Sequence, residues 1–294
     1  MSFSQQVAKK TQRQQHAFTV DVEDWYHGAA DEEMKVSAER RLHYGLGSLL
    51  EFLAEYEIRG TFFWLGQAAL DSPHLVKEVA KAGHEIGCHG WFHEFVYKMS
   101  PQRFKSDTQR TQELLADLTG KPVVAYRAPY FSITRSSLWA LEILAELGFR
   151  YDSSIFPVRN WRYGIADFNT QPQQINTPSG SIYEIPLSIR QVLGQNIPMG
   201  GGAYFRLYPY MLTRNNFLTA EREGRPVVFY IHPWELDPDH PPISLRWKER
   251  LTHNISLRST KPKLQQLLQE FSFTSLGEIL DNQFLKQDKI SGVA

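Results

Sequence analysis

The chain has 294 residues, 42% of them hydrophobic, and its 32 basic side chains equal its 32 acidic ones. A chain of that length and apolar content buries a large core, as one big α/β domain or two smaller ones, which excludes a disordered or fibrous protein. The charge balance removes the basic field of a nucleic-acid binder, and no apolar stretch reaches the length of a membrane span.

The first seventeen residues, MSFSQQVAKKTQRQQHA, are polar and lack the apolar run of a signal peptide, so the expected location is cytoplasmic. AFTVDV, residues 17–22, is a β-rich run expected to form a buried strand that ends in the acidic cluster Asp21, Glu23 and Asp24. Leu46, Leu49, Leu50 and Leu53 follow at helical spacing, with Gly60 as a stop. TFFWLG is the next strand. Ser72-Pro73 opens a helix as N-cap and first-turn proline, Gly83 lies past its end, and HEIGCH is the third strand. Cys88, the single cysteine, rules out an intrachain disulfide and is expected to pack as a small buried hydrophobe.

Ser100-Pro101 starts a long helix through Leu114, Leu115 and Leu118, closed by Gly120, before the strand PVVAYR. A helix at about 134–147 ends at Gly148 and leads into FRYDSSI. Residues 157–205 break the rhythm with Pro, Asn, Gln and Gly, and SIYEIPLSI within them reads as a strand of an excursion. A helix near 207–223, the strand PVVFYIH and a last helix near 260–270, before FSFTSLGEIL, restore it.

Helices alternating with short apolar strands imply a mostly parallel sheet with helices outside, open or closed as a barrel. No G-x-G-x-x-G follows the first strand and no G-K-[ST] occurs, which removes the usual signs of a dinucleotide or P-loop site. Asp21, His89, Arg127, Asp152 and His232 stand at the ends of five expected strands. A (β/α) barrel assembles an active site at its C-terminal face in that way.

Three stretches carry the chemistry. In HGWFH, residues 89–93, one helical turn would put His89 and His93 on one face, aimed at a single point as metal ligands often are; surface or capping histidines are the plain alternative. In DVED, strand alternation turns Asp21 and Glu23 to one side, and buried carboxylates there need a metal or an arginine opposite. Asp21 is read as a base and Asp24 or Glu23 as a third metal ligand, with a helix-capping acidic turn as the alternative. In YRAPYF, Arg127 is placed to clamp Asp21, and the Tyr130 amide to point at an oxyanion. His232, in VVFYIHPWE, is expected at a partly buried rim, with Asp152 hydrogen-bonded to its ring.

Taken in order, these motifs resemble the polysaccharide deacetylases of carbohydrate esterase family 4, with the NodB-homology domain, over roughly residues 17–235. VDVED stands where that family has its acidic strand end, and HGWFH where it has H-[ST]-x-x-H. RAPY matches R-x-P-[YF], YDSS falls at the aspartate-bearing motif, and YIHP fits L-x-H. The resemblance implies a distorted (β/α) barrel of about seven parallel strands. It makes Asp21 the catalytic base, His89 and His93 metal ligands, Arg127 the partner of Asp21, and His232 a general acid tuned by Asp152. Two departures stand out. The usual adjacent Asp-Asp is spread over DVED, so Glu23 and Asp24 compete for the metal, with Asp24 preferred. Gly90 replaces the usual Ser or Thr, which is expected to loosen the loop.

The implied reaction is hydrolysis of an N-acetyl group on an amino sugar of a bacterial surface or exopolysaccharide glycan, or of its precursor. It would use one divalent ion, Zn²⁺ first and Co²⁺, Ni²⁺ or Fe²⁺ as alternatives. Trp25, Trp91 and Trp234 are the candidates to floor the sugar. Residues 236–294 are expected to pack on the same domain as an extension similar to that of an exopolysaccharide-associated subgroup. In that extension His240 and His253 are expected at the surface, and Arg246 and Arg250 to grip an acidic part of the substrate. MGGGAYF, residues 199–205, is read as a flexible lid or an ordinary loop. An allantoinase-like amidohydrolase acting on a small cyclic amide, and a non-catalytic glycan-binding module, are the rival readings.

Overall fold

The computed structural model describes residues 14–28, 37–241 and 253–285; Arg246 and Arg250 lie outside them. Its strands are β1 (Gln15–Val22), β2 (Thr61–Trp64), β3 (Glu85–Cys88), β4 (Ala125–Tyr126), β5 (Tyr151–Asp152), β6 (Gln173–Thr177), β7 (Gly180–Glu184), β8 (Ile189–Val192), β9 (Gln195–Pro198), β10 (Val228–Ile231) and β11 (Ser272–Thr274). The main helices are α1 (Leu42–Glu55), α2 (Gly66–Asp71), α3 (Pro73–Lys81), α4 (Pro101–Thr119), α5 (Trp139–Glu146), α6 (Gly202–Leu207), α7 (Tyr210–Arg222) and α8 (Thr260–Glu270).

The main sheet runs β10-β1-β2-β3-β4-β5-β7-β6, and β11 pairs with the start of β1. The seven strands from β10 to β7 are mutually parallel, and β6 closes the edge as an antiparallel partner of β7. The path has two ends, with no pairing between β10 and β6 among the described residues. The expected distorted barrel is therefore a curled half-barrel. SIYEIPLSI is no excursion, because its β7 segment joins the main sheet beside β5; only the β8–β9 hairpin stands apart.

Alternation along the strands sorts the core into two layers. Phe18, Val20, Val22, Phe62, Trp64, Phe229 and Ile231 face outward onto Leu46, Leu49 and Leu53 of α1 and Leu264, Leu267 and Leu268 of α8. Ala17, Phe63, Ala125, Tyr151, Val228 and Tyr230 face inward. Each fully buried Leu or Phe contributes about 1.5–3 kcal/mol, so the outer layer anchors β1 between β10 and β2. Residues 19, 21 and 23 then share parity with the inner layer. That parity turns Asp21 and Glu23 into the mouth of the curl.

Helix boundaries follow local chemistry. The Ser100 hydroxyl accepts from the Arg103 amide at 3.2 Å, and Gly120 ends α4 with φ of +68°, where an L side chain is strained. Ser72 makes no such side-chain cap, so α3 begins on Pro73 alone. The helix expected near 207–223 is α7, which starts at Tyr210, and Pro209 at φ of −55° and ψ of 140° separates it from the short α6 before it. No helix among the described residues is long and apolar enough to cross a membrane. Cys88 is buried at the end of β3, and burial pushes its thiol up to about 12.

Candidate active site

Parallel strands deliver their C-terminal ends to one rim. Asp21 and Glu23 stand at the end of β1, His89 just after β3, Arg127 just after β4, Asp152 at the end of β5 and His232 just after β10.

Glu23, His89 and His93 each offer a ligand atom, and the three atoms lie within 4.8 Å of one another. His89 Nδ1 faces the Arg127 carbonyl at 2.8 Å, which makes Nδ1 the protonated nitrogen and leaves the Nε2 lone pair for the site. Burial, with the neighbouring His93, pushes His89 down to about 4 against the pull of Asp21 and Glu23, so the ring is neutral. His93 Nε2 comes within 2.7 Å of Glu23 Oε2, yet that buried oxygen has no hydrogen-bond partner. Burial raises Glu23, but the imidazoles of His93, His232 and His89 together outweigh it and hold the carboxyl well below its usual range. Two neutral-capable imidazoles and one ionised carboxylate, converging around an unsatisfied oxygen, fit a divalent ion.

The two histidines converge without a helix. HGWFH is a loop, pinned where the His89 amide donates to the Trp64 carbonyl, the Gly66 amide to the Gly90 carbonyl and the Gln67 amide to the Trp91 carbonyl, at 2.8, 2.8 and 3.1 Å. Gly90 has φ of +76°, so the residue expected to loosen the loop supplies the left-handed turn that closes it. Asp24 does not join the three convergent ligand atoms. Its Oδ2 accepts from the Arg41 and Leu42 amides at 2.8 and 3.1 Å, capping α1, because it lies one residue out of phase with Asp21 and Glu23.

Arg127 is fully buried, and four of its five N–H groups are paired. Nη1 donates to Asp21 Oδ1 at 2.8 Å and Thr19 Oγ1 at 2.7 Å, Nε to the Ser153 carbonyl at 3.0 Å and Nη2 to Ser153 Oγ at 3.1 Å. Phe63 floors the guanidinium at 4.3 Å. The clamp on Asp21 expected from sequence is thus made, by one nitrogen.

Asp152 does not reach His232. It sits opposite Glu184 in the β5–β7 register and accepts from Ser154 Oγ. Burial pushes both carboxyls up, most strongly Glu184, which also feels the charge of Asp152. The partner of His232 is Glu235, three residues on in the 3-10 turn Pro233–Leu236. Glu235 Oε1 takes His232 Nδ1 at 2.7 Å and the His232 amide at 2.9 Å. Its Oε2 takes Arg206 Nε at 2.5 Å, and Arg206 Nη1 donates to the His253 and Ile255 carbonyls. Burial lowers His232, but Glu235 and Glu23 overcome it and raise the ring to about 9. The H-P-W-E spacing carried this signal, since a carboxylate three residues on in a tight turn lies over the first ring.

None of the three expected tryptophans offers an open face. Trp25 donates to the Glu39 carbonyl and stacks on His240. Trp91 lies under the Arg110 guanidinium at 3.5 Å. Trp234 donates to Glu23 Oε1 at 3.2 Å and is sandwiched between His232 and His253. His240 is therefore buried behind the site, and His253 is half-buried against Trp234. The 199–205 glycine run is not a lid either, because a Cβ at Gly201 would meet the Tyr230 ring at 2.3 Å. Tyr130 lies edge-on to His93 at 4.1 Å, with its hydroxyl on the Gly28 carbonyl.

Residues 45–151 match the polysaccharide deacetylase family, and residues 153–281 match a domain of unknown function (DUF3473). The peptidoglycan-N-acetylglucosamine deacetylase PgdA of Listeria monocytogenes is 27% identical over 134 residues, 46% of this chain and 28% of that protein. The peptidoglycan deacetylase of Helicobacter pylori is 32% identical over 111 residues, 38% of this chain and 37% of that protein. The chain thus spans about a third of the length of the curated relatives it matches. Among solved structures, a putative polysaccharide deacetylase from Mycobacterium smegmatis superposes with a TM-score of 0.64 at 20% identity, covering 94% of this chain and 93% of that one. Puue allantoinase does so with 0.57 at 17% identity, covering 90% and 91%. At these identities the superpositions establish the fold. The deacetylase family match itself covers residues 45–151, a little over a third of the chain.

Proposed function

We propose that the protein is a metal-dependent hydrolase that removes acetyl groups from N-acetylated amino sugars of a cell-wall or exopolysaccharide glycan, or of its precursor. The observation that carries this reading is the meeting, at one rim, of three metal donors, a clamped aspartate and a cationic histidine. Glu23, His89 and His93 would hold the ion, with Zn²⁺ favoured by the two imidazoles and one carboxylate; when bound it supplies an acidified water and polarises the acetyl carbonyl.

The chain's own groups do the proton work. Asp21, fixed by Arg127, accepts the proton of the attacking water. His232, cationic over Glu235, gives a proton to the departing amine, so acetate and a free amino sugar leave. Arg206 keeps Glu235 ionised, and Glu235 keeps the proton on His232 Nδ1, so that Nε2–H faces the site. The Tyr130 amide is assigned to the negative charge that develops on the acetyl carbonyl oxygen.

The test is a metal-supplemented screen by mass spectrometry over N-acetylglucosamine oligomers, peptidoglycan fragments, nucleotide sugars and a cyclic amide. Loss of acetyl from the sugars, with the cyclic amide intact, is expected. Ring opening of the cyclic amide with the sugars untouched would move the protein to a different amidohydrolase class.

A further inference from the structure

Beyond the metal donors, the rim carries a cation that meets no carboxylate among the described residues. The Arg162 guanidinium lies 4.9 Å over the Tyr130 ring, 5.3 Å over Phe95 and 5.4 Å over Trp161. Phe95 and Tyr130 stack at 4.2 Å with planes 12° apart, and Tyr130 in turn touches His93. Lys98 sits over the same Phe95 ring at 4.9 Å, so two cations share one aromatic platform. The nearby Glu94 is committed to Arg103 at 2.6 Å, and no carboxylate among the described residues pairs with Arg162 or Lys98. Trp161, beside them, is 85% exposed.

The geometry points to a subsite, made by Arg162, Lys98 and Trp161, that binds an acidic sugar next to the acetylated one. This rests on the deacetylase reading and narrows its substrate class to glycans that carry a carboxylate or phosphate on the neighbouring residue. Three rings fix the guanidinium plane, so little rotamer freedom is lost when its free N–H fork meets a carboxylate. Lys98, over the same Phe95 ring, adds a second positive charge that attracts an anion. An exposed indole is a stacking face for a sugar ring. Tyr130 links the platform to His93, which puts the acidic group about one sugar ring from the reacting amide.

The test compares kcat/KM on two oligosaccharides of equal length. One is a neutral N-acetylglucosamine oligomer; the other is a glycan strand in which lactyl carboxylates flank the N-acetylglucosamine. The wild-type protein is expected to prefer the acidic strand by roughly tenfold, and less so at high salt. Arg162→Gln should bring the ratio to about one by lowering only the acidic-strand value, and Arg162→Lys should keep part of the preference. An unchanged ratio in Arg162→Gln, or an equal fall on both substrates, overturns the subsite. If the wild type deacetylates neither strand, the deacetylase reading fails instead. Calorimetric binding of the acidic strand then decides the subsite alone, because Arg162→Gln must weaken it roughly tenfold and equal affinity in the two proteins refutes it.

Discussion

Glu235→Gln should shift the basic limb of turnover to lower pH. His232 is raised from its ordinary value to about 9 against burial, and of the four influences that raise it, two belong to Glu235: its hydrogen bond and its charge. Glutamine keeps an acceptor for Nδ1 but removes the charge, a loss on the order of 1–2 pKa units, or about 1.4–2.7 kcal/mol. An ion held by Glu23 would offset that carboxylate's charge and itself push the ring down, so Glu235 becomes the main group that keeps His232 protonated. The sign follows from the role. A proton donor with a raised pKa works below that pKa and fails as the pH rises through it.

At pH 8 a ring raised to about 9 keeps most of its proton. A variant ring near pKa ~7.5 would keep roughly a quarter. The assay is kcat from pH 6 to 10 at matched metal content, at a temperature where circular dichroism shows the variant folded, since Arg206 is left without its buried counter-ion at a cost of about 3 kcal/mol. An unmoved basic limb would refute the assignment of the limb to His232 and leave it to the metal-bound water. Asp152→Asn, by contrast, should leave the limb where it is.

Glu23→Gln should lower metal affinity by at least tenfold, whereas Asp24→Asn should bind metal normally and lose about 1 kcal/mol through the weakened cap of α1, as read by metal titration and thermal melts. Asp21→Asn should abolish turnover yet retain metal; metal loss as large as in His89→Ala would place Asp21 among the ligands. Gly201→Ala should destabilise the fold by a few kcal/mol, because the new methyl group would meet the Tyr230 ring at 2.3 Å; an unchanged melting temperature would show that this segment yields.

Residue order and strand ends made the candidate site largely legible in the sequence. An apolar strand that closes on a polar residue delivers it to the rim whatever lies between the strands, so Asp21, His89, Arg127 and His232 were placed correctly. Parity within DVED already favoured Glu23, since Asp21 and Glu23 alternate to the same face, and the preference for Asp24 neglected that the next helix needs a cap. The partner of His232 was missed because Asp152 also ends a strand, and strand ends do not reveal which neighbour each side chain meets. Only the register shows that β7 presents Glu184 to Asp152. The 157–205 segment was opaque for a related reason, because β6 and β9 alternate intermediate and exposed residues and β8 buries only Ile189, too little to leave a hydrophobic pattern. The tryptophans illustrate the limit of composition, which counts rings and does not say which face is covered.

The most direct measurement on the central claim is X-ray absorption at the zinc edge of the reconstituted protein, taken for the wild type, Glu23→Gln and Asp24→Asn. The account predicts two imidazole nitrogens and one carboxylate oxygen at about 2.0–2.2 Å, unchanged in Asp24→Asn and with the oxygen altered in Glu23→Gln. A shell without two imidazoles, or one that responds to Asp24 and not to Glu23, would contradict it.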